Sequence, residues 1–302
     1  MRKLIERINK LKREKNAIIL AHSYQNIEVD EVADYVGDSL YLSQKAKETS
    51  ADIIVFAGVY FMAQTAKIIS PEKKVLLPNL NAGCLMADMI NLHQMIDFKN
   101  KNPNLPVVCY INSTAEVKSE CDICCTSSNA VEIVKSLNAP KVLFVPDANL
   151  GKYVESQLEG VEVITYAGCC PVHDNVTEKN ILDARAKYPS AKILIHPECK
   201  PSVSALGDYI GSTSGIIDYV KNSSDNQFVI VTEKGVADRL KRDYPEKEFV
   251  LISNNMLCES MKLTSLEEIL YSLENEVNEI KLDDNIRESS ARCIERMLKV
   301  SK

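Results

Sequence analysis

Short apolar runs recur along the chain, and polar residues close each one. Ala17 to Leu20, Val107 to Tyr110 and Ile193 to Ile195 read as buried strands, because continuous short runs suit parallel strands covered on both faces. They end in His22-Ser23-Tyr24-Gln25, Asn112-Ser113-Thr114 and His196-Pro197-Glu198. Helical stretches follow, the second opening at Ser39, Ser127 or Thr213. Next come second strands, Ile53 to Phe56, Val142 to Val145 and Phe228 to Val231. After another helix come third strands, Val75 to Leu77, Val161 to Ile164 and Phe249 to Ile252. A cysteine follows each third strand: Cys84, Cys170 and Cys258.

The pattern repeats with a nearly fixed step. The cysteines are separated by 170−84 = 86 and 258−170 = 88 residues; Ser39, Ser127 and Thr213 by 88 and 86. His22, Asn112 and His196 follow more loosely. One unit copied three times explains this better than coincidence in an ordinary two-domain α/β protein. Strand–helix alternation gives parallel sheets with helices on both faces, and ligands gather at the carboxyl ends of such strands. The expected fold class is therefore α/β, with three pseudo-equivalent αβα sandwich domains around a central site. The boundaries expected are 1–88 (with an N-terminal helix), 89–172, 173–262, and a helical tail, 263–302, packing back on the domains. Leu4, Ile5, Ile8 and Leu11 give the first helix an apolar stripe; Leu266, Ile269, Leu270 and Leu273 give the tail another.

A net charge of −6 disfavours nucleic acid as a partner. No apolar run reaches the roughly 20 residues that cross a bilayer, and the charged N-terminus lacks the marks of a leader. A cytoplasmic protein is expected, and its ten cysteines read as reduced thiols or metal ligands rather than disulfides.

Three thiolates brought together from distant segments would leave a metal with an open position, the arrangement of a catalytic centre. In a four-iron cubane, three ligands leave one iron bare. The rival is Cys121-Asp122-Ile123-Cys124-Cys125, whose Cys-x-x-Cys spacing could hold zinc or form a redox pair but does not recur in the other copies. Cys109, Cys199 and Cys293 read as core residues. Periodicity alone does not choose between Cys169 and Cys170.

The segments AHSYQ (21–25), VGDSL (36–40), AGCLMADM (82–89), YINSTAEVKSECDICCTSSNA (110–130), PDANLG (146–151), GCCPVH (168–173), HPEC (196–199), GSTSG (211–215) and CESMK (258–262) cover the chain in order. In them the sequence resembles the quinolinate synthase family of NAD biosynthesis. The resemblance implies a [4Fe-4S] cluster held by one cysteine per domain, and picks Cys170 over Cys169. It implies condensation of iminoaspartate with dihydroxyacetone phosphate, with loss of phosphate and water and no redox change. The enzyme that makes the unstable imine, an aspartate oxidase or dehydrogenase, is a possible transient partner.

For the proton transfers, His22, Tyr24, Tyr110, His173, His196 and Glu198 are the candidates, with Tyr24 and Glu198 expected to shuttle protons. Substrate contacts are expected from His22, Ser39, Tyr110, Asn112, Ser127, His196, Glu198 and Thr213. Ser39, Ser127 and Thr213 would do so as helix starts, which favour anions. His93 reads as an ordinary helix residue. Two departures from the family pattern, Ser23 and Gln64, bear on substrate contacts rather than on the cluster ligands.

Overall fold

The computed structural model describes residues 1–301; Lys302, the last residue of the expected tail, lies outside the described residues. Among the described residues, twelve strands form three four-stranded sheets, all pairs parallel. The first holds β1 (Ala17–His22), β2 (Tyr35–Gly37), β3 (Ile53–Ala57) and β4 (Lys74–Leu76) in the order β2-β1-β3-β4. The second holds β5 (Val107–Tyr110), β6 (Ile123–Cys125), β7 (Lys141–Val145) and β8 (Glu162–Thr165), ordered β6-β5-β7-β8. The third holds β9 (Lys192–Ile195), β10 (Tyr209–Ile210), β11 (Gln227–Val231) and β12 (Glu248–Leu251), ordered β10-β9-β11-β12. With helices on the sheets, this is the α/β architecture of three like sandwiches that the repeat implies. Each sheet also carries a short edge strand, β2, β6 or β10, that the apolar pattern did not reveal.

One aspartate in each lobe fixes the internal register. The backbone N–H groups of Asp34, Asp122 and Asp208 donate to the carbonyls of Ile19, Val107 and Ile193. Their carboxylates accept from the N–H groups of those same three residues, at 2.8, 2.7 and 2.8 Å. Ile19, Val107 and Ile193 are therefore equivalent, in steps of 88 and 86. His22, Tyr110 and His196 then stand at one position, and Tyr24, Asn112 and Glu198 at the next cavity-facing one. The looser grouping of Asn112 with the two histidines is thus displaced by two residues.

A second brace positions the cysteine loops. The helices that follow β3, β7 and β11 begin at Tyr60, Ala148 and Lys234. These first residues donate to the carbonyls of Ala82, Gly168 and Met256 at 2.7, 2.8 and 2.7 Å. Two residues beyond each acceptor lie Cys84, Cys170 and Cys258. A glycine is needed at 168, because a Cβ there would sit 2.6 Å from the carbonyl oxygen of Pro146.

The largest apolar core runs from the first sheet through the second lobe to Cys293, Ile294 and Met297 of the last helix, Asp284–Val300. The helix Leu266–Asn275 packs on the N-terminal helix Arg2–Glu14, while the last helix packs on β6. Between lobes, Arg239 pairs with the carboxylate of Asp30 and donates to the carbonyl of Gln25 at 3.2 Å. Among the described residues, no helix is long and apolar enough to cross a membrane.

Candidate active site

The carboxyl ends of all three sheets open on one cavity. Every site residue singled out from the sequence lines it: His22, Tyr24, Ser39 and Cys84; Tyr110, Asn112, Ser127 and Cys170; His173, His196, Glu198, Thr213 and Cys258. Cys169 does not belong to this lining. It shares the carbonyl-braced loop but falls one residue short of the position that Cys84 and Cys258 occupy.

The three cavity thiols share one local geometry. Cys170 and Cys258 immediately precede short helices, and Cys84 lies just before a single 3-10 turn, Ala87–Met89. Burial pushes all three thiols up, Cys84 to about 12. Opposing it, the backbone at Ala87, His173 and Met261, each three residues on, favours thiolate. Cys84 lies within electrostatic reach of both Cys258 and Cys170. Ligand atoms of Cys170, His173 and Glu198 also lie within 4.8 Å of one another. Three buried sulfurs around one cavity suit a soft metal or an iron–sulfur group.

Cys121, Cys124 and Cys125 do not form a comparable centre. Cys124 and Cys125 are neighbours on β6, so their side chains leave opposite faces. Cys124 meets Cys293 of the last helix at 2.9 Å between sulfurs, deep in the second lobe's core. The wholly buried Lys118 lies among these thiols, where a second cation is unwelcome. Cys109, Cys199 and Cys293 are buried as core residues. His93 is exposed, 3.3 Å from Asp97 one turn along its helix.

Around the thiols runs a hydrogen-bonded chain. The Tyr110 hydroxyl donates to Oε1 of Glu198 at 2.6 Å, and Nδ1 of His173 lies 2.8 Å from Oε2. Nε2 of His173 and the hydroxyl of Tyr24 each lie 3.0 Å from Oγ1 of Thr232, and Thr213 donates to Tyr24 at 3.1 Å. Burial and the charge of Glu198 push Tyr24 and Tyr110 well above the ordinary phenol range, so both are donors. Burial works against the charge of Glu198, but the adjoining His173 ring and the Tyr110 hydroxyl outweigh it and hold the carboxyl below its ordinary range.

His22 and His196 are matched donors. Nδ1 of His22 accepts the Tyr24 backbone N–H at 3.1 Å; Nδ1 of His196 accepts that of Glu198 at 3.3 Å. Burial lowers both, to about 4 and about 3, so each ring is neutral and carries its proton on Nε2. Asn112, in the second lobe, has a buried amide oxygen with no partner among the described residues. A molecule bound in the cavity could supply the missing donor.

Ser39 and Thr213 begin helices as expected, capped by the side chains of Asp38 and Ser212. Ser127 does not: its helix begins at Ala130, and Ser127 lies in the preceding turn. The Asn129 side-chain oxygen accepts from the Thr126 N–H and hydroxyl, a turn geometry that competes with helix at Ser127. The sequence reading also passed over Asp38, Thr232 and Glu233. Asp38 and Glu233 line the cavity, and Thr232 closes the hydrogen-bonded chain beside it. Thr232 and Glu233 directly follow β11, at the step that links them to Gly58-Val59 and Pro146-Asp147; that spacing was the available signal. Of the two departures from the family pattern, Gln64 accepts the Ala115 N–H at 3.2 Å, and the buried Ser23 contributes its carbonyl to Arg239.

A parallel α/β scaffold that gathers thiols, imidazoles, phenols and carboxylates in a strand-end cavity defines an enzyme with a metal-competent, proton-handling centre. A family model described as "Quinolinate synthetase A protein" matches residues 6–299. Quinolinate synthases of Alkaliphilus metalliredigens (50% identical, 98% of each chain), Methanosarcina barkeri (48%, 98% of this chain and 97% of the relative) and Clostridioides difficile (46%, 99% and 98%) are similar over nearly their whole lengths. The chain belongs to the quinolinate synthase family, enzymes of NAD biosynthesis. That family works with an iron–sulfur cofactor on iminoaspartate and dihydroxyacetone phosphate.

Proposed function

We propose that Cys84, Cys170 and Cys258 hold a [4Fe-4S] cluster whose fourth iron has no protein ligand. The residues around it then join iminoaspartate to dihydroxyacetone phosphate and expel phosphate and water, giving quinolinate. The observation that carries this reading is the meeting of three equivalently braced thiols in the cavity that also holds Glu198, Tyr24 and the histidines. Once bound, the cluster supplies a Lewis acid that polarises a substrate oxygen and eases departure of hydroxide.

The chain's own residues do the rest. The Nε2–H groups of His22 and His196 donate to substrate carboxylate or carbonyl oxygens. The open amide oxygen of Asn112 accepts from the substrate's nitrogen or hydroxyl. Ser39, Ser127 and Thr213 bind the phosphate and carboxylate anions. Glu198 is held as a carboxylate, so it takes protons from carbon; Tyr24 is held as a phenol, so it gives one. Tyr110 and His173 keep Glu198 oriented between those transfers.

We read 1–88, 89–172 and 173–262 as the three domains, with the tail, 263–302, as their clamp. The setting is cytoplasmic, with a transient handover from the imine-producing oxidase or dehydrogenase. The test is anaerobic turnover of the two substrates by the reconstituted protein. Quinolinate formation is expected, and its absence in a fully loaded, folded sample would refute the reading.

A further inference from the structure

The third lobe departs from the repeat four residues beyond its cysteine. Asp88 and Asp174 stand at that position in the first two lobes; the third has Lys262, so the charge is reversed. Lys262 ends the short helix Glu259–Lys262 that follows Cys258. Its largely buried ammonium donates to the backbone carbonyl of Tyr24, in the first lobe, and lies 3.1 Å from Oε1 and 3.3 Å from Oε2 of Glu233. Glu233 is wholly buried, and its Oε1 also accepts the Cys258 backbone N–H at 3.3 Å. Its counterparts make no such bridge: Val59 is apolar, and Asp147 caps the helix of its own lobe.

The rest of the short helix meets the same loop. Nε2 of Gln25 donates to the Met261 sulfur at 3.4 Å, and Nδ2 of Asn26 to the Lys262 carbonyl at 3.2 Å. A Cβ at Gly235 would lie 2.8 Å from the Ser23 carbonyl oxygen and 2.9 Å from Cα of Tyr24, so the loop backbone is pressed directly on the third lobe.

We propose that Lys262, charge-balanced by Glu233, is a positioning residue for the reaction: it fastens the backbone of Tyr24 to the segment that carries the third thiol. The inference rests on the reading that Cys258 holds the cluster and that Tyr24 gives a proton to substrate. An ammonium has three hydrogens and no acceptor, so one cation serves a carbonyl and both carboxylate oxygens at once. A neutral side chain there leaves the Tyr24 carbonyl without this donor and Glu233 as an unpaired buried charge. The hydroxyls of Thr213 and Thr232 hold only the far end of the phenol; Lys262 holds the backbone it swings on. A misplacement of about 1 Å is enough to spoil a proton transfer. Because Glu233 also holds the Cys258 N–H, one ion pair sets the spacing between the third sulfur and Tyr24.

The experiment places Lys262→Met, which removes the charge and keeps the stem, in the wild-type and Tyr24→Phe backgrounds of the reconstituted holoenzyme. In the wild-type background kcat should fall about 10-fold, with KM within about twofold and iron content and visible spectrum unchanged. The backbone amides of residues 23–26 should exchange hydrogen about 10-fold faster. In the Tyr24→Phe background the same change should cost less than about twofold in kcat, because the group that Lys262 positions is already gone. Wild-type kcat and exchange in Lys262→Met overturn the inference. So do equal losses in both backgrounds, which mark a general structural role, and loss of iron, which assigns Lys262 to the Cys258 loop alone. Should Lys262→Met not fold, Lys262→Met/Glu233→Gln leaves no unpaired buried charge and is read in the same way. Full turnover by Tyr24→Phe defeats the underlying reading of Tyr24. Unchanged exchange in Lys262→Met beside an impaired Tyr24→Phe defeats the role of Lys262 alone.

Discussion

The hydroxyl of Tyr110 donates to Oε1 of Glu198 at 2.6 Å, joining the ends of the central strands in the second and third lobes. The two residues are not equivalents of each other. Tyr110 matches His22 and His196, whereas Glu198 matches Tyr24 and Asn112. A cavity built from three copies thus gains asymmetry by placing different chemistry at like positions.

This pair gives the first prediction. Glu198→Gln keeps the shape but removes the proton acceptor, so kcat should fall by about 100-fold or more. Tyr110→Phe removes one donor to the carboxylate and should cost less, about 10-fold. Both should keep the visible absorbance of the loaded protein. Steady-state quinolinate production checks them, and wild-type turnover by Glu198→Gln would remove Glu198 from the reaction.

Asp38 ties the lobes at the rim of the cavity. Its Oδ2 accepts from the hydroxyls of Ser128 at 2.7 Å and Ser214 at 2.6 Å, in the second and third lobes, while Oδ1 caps its own helix through the Tyr41 N–H. Asp38→Ala should destabilise the fold by about 1–3 kcal/mol, through the lost cap and the unpaired hydroxyls. Thermal unfolding without substrate should show a Tm several degrees lower. An unchanged Tm would mean that the bridge does not hold the lobes together.

Glu276 makes stability depend on pH. Hydrogen bonds from Lys15, at 2.6 Å, and from Lys74 lower its carboxyl to about 2. A depressed carboxyl stabilises the fold above its unfolded pKa of about 4.3 and loses that contribution as pH falls toward the folded value. Glu276→Gln should therefore melt below wild type at pH 7, with the gap narrowing between pH 5 and pH 3. A gap that stays constant with pH would assign the loss to packing instead.

The repeat was legible because it is written in residues whose chemistry the cavity needs, and because buried parallel strands are nearly uninterrupted apolar runs, as in β3. The edge strands were not, for a physical reason. Tyr35-Val36-Gly37 and Tyr209-Ile210 are short and half-covered, and they pair with one neighbour only, so they carry no sustained pattern. β6 was masked by its own cysteines, which drew attention as ligands but are core side chains.

Spacing alone left Cys169 and Cys170 unresolved, since one residue is less than the drift between copies. The carbonyl brace from Ala148 to Gly168 removes that freedom. Thr232 escaped notice because its counterparts are Gly58 and Pro146. A repeat search rewards sameness and passes over such a departure.

The most direct test of the central claim compares Cys170→Ala with Cys169→Ala after identical anaerobic reconstitution, reading iron content, visible absorbance and turnover together. The account predicts about four irons per chain, a band near about 400 nm and full activity for Cys169→Ala. For Cys170→Ala it predicts loss of the band and of activity. A Cys170→Ala protein that keeps both, or a Cys169→Ala protein that loses both, would contradict the assignment of the three thiols.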